Sequence, residues 1–186
     1  MRLQGLFGIR RLLFVARRVI TGRPRRIAML SLDAVPDYFG QFTGPAPTFN
    51  AALRSSEGVI VGHARYALSP LLDRWYVYDL TIEPDHQSKG FGAAFLIELV
   101  RQARVPISPV QETYLGSLFW NAARAWRLPG LDVWPQISAA NLRGEAARWA
   151  HLSEESDRLH QAIIQRLGDG EPWRTATGRG LESDLP

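Results

Sequence analysis

The sequence predicts an α/β (α+β) domain whose central sheet is mixed but mostly antiparallel and is flanked by helices. Three extended, β-prone runs follow one another over residues 48–82, and short turns separate them. After Pro84 the apolar residues change from a period of two to a period of about 3.6, which indicates a helix. Strands joined by short turns pair antiparallel, and the helices that follow them cover the sheet.

The strands are predicted from β-branched and aromatic residues that lie between turn residues. The first strand is Arg25–Leu32, and residues 33–48 form a loop because they contain three prolines and two glycines. Thr48–Arg54 and Gly58–Leu68 make a hairpin, and Trp75–Ile82 adds a third antiparallel strand.

Two helices and two shorter strands complete the predicted domain. Gly92–Arg104 is predicted as a helix with an apolar stripe, and Gly116–Arg127 as a second helix. Between them, Val105–Val110 is a short strand interrupted by two prolines, and Val133–Ile137 is the last strand expected.

The chain divides into four predicted parts. Residues 1–24 form a basic amphipathic arm, and residues 25–137 form the folded domain. Residues 138–167, rich in alanine and in Glu/Arg pairs, form a C-terminal helical extension. Residues 168–186 are polar and glycine-rich, so we expect a disordered tail.

Composition narrows the function classes before any motif is considered. Of the 186 residues, 46% are hydrophobic and 22% are charged, as in globular proteins, and no apolar run approaches the roughly 20 residues that span a bilayer. The absence of cysteine excludes disulfides, cysteine-ligated metals and an acyl-cysteine intermediate, and makes the cytoplasm the expected location. His63 and His86 are isolated in the sequence, so no metal site is predicted.

The net charge of +4 originates in the N-terminal arm. Residues 1–32 contain eight arginines and no acid, whereas the remainder sums to −4. Arginine pairs at 10–11 and 17–18 share one face of a helix, which indicates an anionic partner, either a nucleic acid or a membrane surface. A helix that packs on its own domain or on a protein partner is the alternative left open, and a homodimer is among the partners considered.

The segment that carries chemistry runs from the strand at Trp75 to the helix at Gly92. Its glycines fit neither a dinucleotide-binding fingerprint, which needs a glycine tight against the strand and a third one later, nor a P-loop. The remaining interpretation is a turn that holds phosphate at a helix start. The first amides of a helix lack intrahelical partners and carry the positive end of its dipole, and glycine lets phosphate oxygens approach the backbone.

The spacing Ile82-x-Pro84-x-x-Gln87-x-x-Gly90-x-Gly92 resembles the GNAT N-acetyltransferase superfamily, whose hallmark is Gln/Arg-x-x-Gly-x-Gly/Ala after a strand. The resemblance implies a splayed strand pair in the sheet and acetyl-CoA, or another acyl-CoA, as the cofactor. It also implies that the pantetheine arm pairs with the backbone of Leu80 and Ile82. The loop expected to hold the pyrophosphate consists of Gln87, Ser88, Lys89, Gly90, Phe91 and Gly92.

The reaction expected is direct transfer of an acyl group, most simply acetyl, to the primary amine of a small molecule or peptide in a ternary complex. The family often uses a tyrosine to protonate the leaving thiolate, but Trp120 occupies that position here, so Tyr114 is the first candidate for the acid. Glu112 and then Asp79 are the candidate bases. A non-catalytic acyl-CoA-binding or regulatory module, and transfer to a nucleic-acid-linked amine, are the alternatives.

Overall fold

The computed structural model describes residues 24, 26–39 and 42–177, and its centre is one five-stranded sheet in the order β1-β2-β3-β4-β5. The first four strands pair antiparallel, and β5 pairs parallel to β4, so the mixed, mostly antiparallel sheet is confirmed. The strands are β1 (Leu30–Asp37), β2 (Thr48–Ser55), β3 (Ile60–Leu68), β4 (Trp75–Ile82) and β5 (Ile107–Pro109).

The predicted first strand, Arg25–Leu32, is wrong in its bounds, because β1 continues to Asp37 through the segment predicted as a loop. Each residue of β1 has a partner on β2, from Leu30 opposite Ser55 to Asp37 opposite Thr48. Pro36 is tolerated because β1 is an edge strand, where a missing N–H disrupts no second ladder.

Among the described residues, five helices surround the sheet. They are α1 (Phe91–Gln102), α2 (Tyr114–Ala125), α3 (Leu142–Ala146), α4 (Ser153–Gly168) and α5 (Trp173–Thr177). Single 3₁₀ segments occur at Pro84–His86, Ala139–Asn141 and Ala147–Leu152.

The helical extension predicted over residues 138–167 is present, as α3, α4 and two 3₁₀ segments with a kink at Trp149. Two other expectations need correction. The predicted strand Val133–Ile137 forms only isolated bridges, from Val133 to Ile107 and from Ile137 to Val110. The predicted tail begins too early, because α5 folds within it and the Tyr38 N–H bonds to the Thr177 carbonyl at 2.8 Å.

The structure describes neither the rest of the predicted tail nor most of the predicted arm. Residues 178–186 and the predicted amphipathic helix within residues 1–24 lie outside the described residues, apart from Pro24.

The first face of the sheet packs on α1 and α2. Tyr66 of β3 contacts Trp75 of β4 and Phe95 of α1, with ring centroids 5.7 and 5.5 Å apart. The indole N–H of Trp75 also donates to the Leu99 carbonyl at 3.1 Å, which ties β4 to α1. Trp120 of α2 joins the same buried cluster.

The second face is covered at one end by the C-terminal extension. Tyr76 packs there against Trp149 and Phe42 in a smaller buried cluster. Glu145 of α3 accepts hydrogen bonds from the Tyr76 hydroxyl at 2.5 Å, from Arg148 at 2.6 Å and from Arg74 at 3.0 Å. These bonds join the extension to the β3–β4 hairpin.

Candidate active site

The two halves of β4 differ in their pairing. Trp75–Val77 pairs with β3 on one edge and with β5 on the other. A bulge follows, because Arg65 pairs with Asp79 and Tyr66 with Val77, so Tyr78 is the extra residue. Beyond Val77 none of the described strands pairs with β4 on the β5 side, and the splayed pair is confirmed.

The backbone of Leu80 and Ile82 faces this open edge. The Glu83 N–H bonds to the Val61 carbonyl of β3 at 2.9 Å, so residues 83, 81 and 79 direct their backbone groups toward β3. Successive residues of a strand alternate, and those of Leu80 and Ile82 therefore point away from β3. The side-chain amide of Gln87 uses one of these groups, because it donates to the Ile82 carbonyl at 3.0 Å.

The loop after β4 turns sharply into α1. Gly90 is the residue before the helix and has a left-handed φ of 98°, while Ser88 has a φ of 64°. The first bond into the helix runs from the Ala94 N–H to the Gly90 carbonyl at 3.0 Å. Within the described residues no side chain caps this end, and the first turn contains no acid, so its amides can bind an anion.

Each glycine of the motif has a packing reason that the sequence did not reveal. A Cβ on Gly90 would lie 2.4 Å from the Arg26 carbonyl oxygen, and one on Gly92 would lie 2.9 Å from the Phe119 ring. The expectation that both glycines simply leave space for phosphate is therefore incomplete. Gly90 also permits the segment before β1 to cross the loop.

A cavity of about 520 Å³ lies between the open half of β4, the start of α1 and α2. The predicted cofactor residues line it except Lys89, which is exposed next to Gly90. The cofactor residues at the cavity are Leu80, Ile82, Gln87, Ser88, Gly90, Phe91 and Gly92. The structure thus brings the strand edge and the loop to one space.

Apart from Trp120, the wall formed by α2 was not predicted from the sequence. Leu115, Leu118, Phe119 and Ala122 line the cavity, as do the buried Trp120 and Trp126. Their spacing of three and four residues was the available signal, because it places them on one helical stripe. Most of the wall is apolar, which suits a pantetheine arm or an acyl chain better than a second charged group.

The candidate catalytic residues are not all at the cavity. Asp79 lines it, and Thr81 donates to the Asp79 carboxylate at 3.3 Å. Glu112 is not among the lining residues; its side chain is 6% exposed and forms an ion pair with Arg124 of α2. Tyr114 is 89% exposed at the first position of α2 and is also absent from the lining.

The fold and the cavity define a class of protein, namely one in which a mostly antiparallel sheet, a splayed strand and an uncapped helix start open into one cleft. The model of the acetyltransferase (GNAT) family matches residues 22–116, just over half of the chain. The protein belongs to this family. The match contains β4, the loop and α1, and it ends within the first turn of α2.

Neither the comparison with curated proteins nor the comparison with solved structures gave a match. In the part of the chain that the structure describes, no helix is both long enough and apolar enough to cross a membrane.

Proposed function

We propose that this protein is an acyl-CoA-dependent N-acyltransferase that transfers an acyl group, most simply acetyl, directly to a primary amine. One observation carries the proposal: the unpaired edge of β4 leads into an uncapped helix start, and both line the same cavity. An extended pantetheine arm needs the first feature, and a pyrophosphate needs the second.

The pantetheine amides would pair with the backbone of Leu80 and Ile82 as an added strand does. The pyrophosphate would accept hydrogen bonds from the first amides of α1, each contributing about 1.5–3 kcal/mol as bonds to charged groups do. The thioester would then lie deeper in the cleft beside Trp120, where the β4–β5 pairing ends.

In the transfer, the amine nitrogen attacks the thioester carbonyl, a C–N bond forms and the C–S bond breaks. The attacking ammonium must first lose a proton. Asp79 is the base that the geometry favours, because its carboxylate lies on the β4 segment that lines the cavity, whereas Arg124 already holds Glu112. After the attack the nitrogen loses its second proton through water to the departing thiolate, since Trp120 cannot supply a proton and Tyr114 is turned to solvent.

The acceptor amine would approach Asp79 from the second face of the sheet, at the end left open by the C-terminal extension. Asn50, Arg65 and Asp79 form one exposed row across β2, β3 and β4 there. The row combines a carboxylate with a guanidinium, so a polar acceptor such as a small amine or a peptide suits it.

A panel of primary amines with acetyl-CoA, followed by the release of free thiol, tests the proposal. We expect Asp79→Asn to lower kcat by about 10²–10⁴-fold, as loss of a general base does, with the affinity for acetyl-CoA unchanged. Glu112→Gln and Tyr114→Phe are the comparison variants, and they should retain most of the turnover. A normal rate in Asp79→Asn would exclude it as the base.

A second candidate function is a non-catalytic module that binds acyl-CoA. Two observations favour it. Trp120 lines the cavity but cannot act as an acid, and the ion pair with Arg124 occupies the Glu112 carboxylate. Binding of acetyl-CoA without thiol release across the amine panel would support this function over transfer. Transfer to a nucleic-acid-linked amine is tested by including an aminoacylated RNA in the panel.

The anionic partner of the arm, the homodimer and the cytoplasmic location stay predictions. Gel filtration of the full chain measures the oligomeric state. Retention on heparin, compared with retention of a chain lacking residues 1–24, measures binding by the arm.

A further inference from the structure

Residues 26–28, at the described end of the arginine-rich residues 1–32, lie against the proposed phosphate site. A Cβ added to Gly90 would have the Arg26 carbonyl group as its nearest neighbour, and the Ala28 nitrogen would follow at 3.2 Å. Gly90 is the residue that immediately precedes α1, so the segment crosses the loop at the uncapped helix start.

The exposure of its neighbours indicates the face of this segment on which Arg26 lies. Ala28 and Leu30 pack against the core cluster that contains α1, whereas Ile27 and Met29 are 51% and 76% exposed. This alternation is that of an extended chain, in which residues two apart share a face. Continued to residue 26, this alternation puts Arg26 on the side of Ala28 and Leu30, where its side chain is exposed.

The charges near Arg26 suit an anion. Lys89 is exposed beside Gly90, and the first turn of α1 contributes the positive end of a 12-residue helix dipole without any acid. Positive groups placed together repel one another, and an anionic ligand relieves that repulsion. A guanidinium forms paired hydrogen bonds with phosphate oxygens, which an ammonium does not.

We propose that Arg26 binds a phosphate group of the acyl-CoA and thereby makes the segment before β1 part of the cofactor site. This inference rests on the proposed function. It gives one of the eight arginines of residues 1–32 a role at the cofactor, separate from any partner of the arm. Two phosphates are available, the pyrophosphate and the 3′-phosphate of the ribose.

Calorimetric titration of CoA and of dephospho-CoA into the full-length protein tests the proposal. We expect Arg26→Gln to weaken CoA binding by roughly tenfold, the lower end of what a bond to a charged group contributes. Arg26→Lys should recover part of this loss, because the charge remains while the paired bonds do not. Arg104→Gln is the matched control, since Arg104 is exposed beyond the other end of α1 and loses the same charge.

The outcomes separate the possibilities. A loss confined to CoA identifies the 3′-phosphate, and an equal loss for dephospho-CoA identifies the pyrophosphate; both support the proposal. CoA affinity in Arg26→Gln equal to that of wild type, with the same ligand-free melting temperature, overturns it. Failure of the wild-type protein to bind CoA at all would refute the proposed function together with this inference.

Discussion

The two halves of β4 belong to one strand but differ in burial and in backbone pairing. Trp75–Val77 is buried and hydrogen-bonded on both edges, whereas the segment from Leu80 to Ile82 is partly exposed and paired on one edge only. The bulge at Tyr78 separates them, and it also shifts the alternation so that Trp75, Val77, Leu80 and Ile82 face the same core. A single inserted residue thus lets a core strand end with one edge open toward the cavity.

In the proposed function, one half of β4 stabilises the fold and the other half binds the cofactor. The paired half anchors the fold through side chains that contact α1, and its backbone groups are already bonded. The open half keeps backbone groups available at the cavity, at some loss of stability. We therefore expect substitutions in the first half to act on unfolding and changes at the second half to act on ligand binding.

The largest expected effect comes from the paired half. Trp75→Ala should lower the free energy of unfolding by about 3–5 kcal/mol, because it empties a buried site and removes the hydrogen bond to α1. Ile82→Ala in the open half should lower it by only about 1–2 kcal/mol, since Ile82 is half-buried. Urea unfolding of both variants measures the difference, and equal losses would remove the distinction between the halves.

The second effect concerns the extension that packs on the paired half. Glu145→Ala should lower the free energy of unfolding by about 2–3 kcal/mol, because it leaves Arg74, Arg148 and the Tyr76 hydroxyl without their shared acceptor. Glu154→Ala is the matched control on α4. Its side chain is 84% exposed and its ion pair with Arg158 should contribute less than about 0.5 kcal/mol. A similar loss in both variants would mean that the Glu145 bonds do not hold the extension.

A smaller effect should appear as a pH dependence. Burial alone would raise the pKa of Glu145, but hydrogen bonds from Tyr76 and Arg148 and the charges of Arg74 and Arg148 outweigh it and lower that pKa. The ionised Glu145 therefore stabilises the fold above its unfolded pKa of about 4.3, and this stability is lost as the pH falls through the folded value. The urea midpoints of wild type and Glu145→Gln should differ most near pH 7, and the difference should shrink as the pH falls below about 4.3. A gap that stays constant from pH 7 to pH 3.5 would contradict this assignment.

The sequence predicted the strand β4, the motif and the helix after it because local signals determine them. The aromatic and β-branched residues of Trp75–Ile82 and the apolar stripe of α1 are signals that require no distant partner. The reach of β1 to Asp37 could not be predicted, because only its pairing with β2 outweighs Pro36. The ion pair that removes Glu112 from the cavity depends on Arg124, twelve residues away and on another element. Tyr114 likewise lies at a helix start whose orientation is set by packing.

The contact between Arg26 and Gly90 could not be predicted either, because it joins residues that are far apart in the sequence. A glycine in this motif is expected for phosphate binding, and nothing in the local sequence shows that a segment more than sixty residues earlier crosses it. Sequence patterns therefore predicted the strand, loop and helix that line the cavity better than the side chains that surround them.

The measurement that tests the central claim most directly is amide hydrogen exchange of single residues, with and without acetyl-CoA. The backbone amides of Leu80 and Ile82 should exchange rapidly in the free protein and become protected when acetyl-CoA binds, because the cofactor pairs with the open edge. The Trp75 amide, bonded to the Pro106 carbonyl at 2.8 Å, should exchange slowly in both states. If acetyl-CoA bound without protecting Leu80 and Ile82, the open half of β4 would not be the cofactor site.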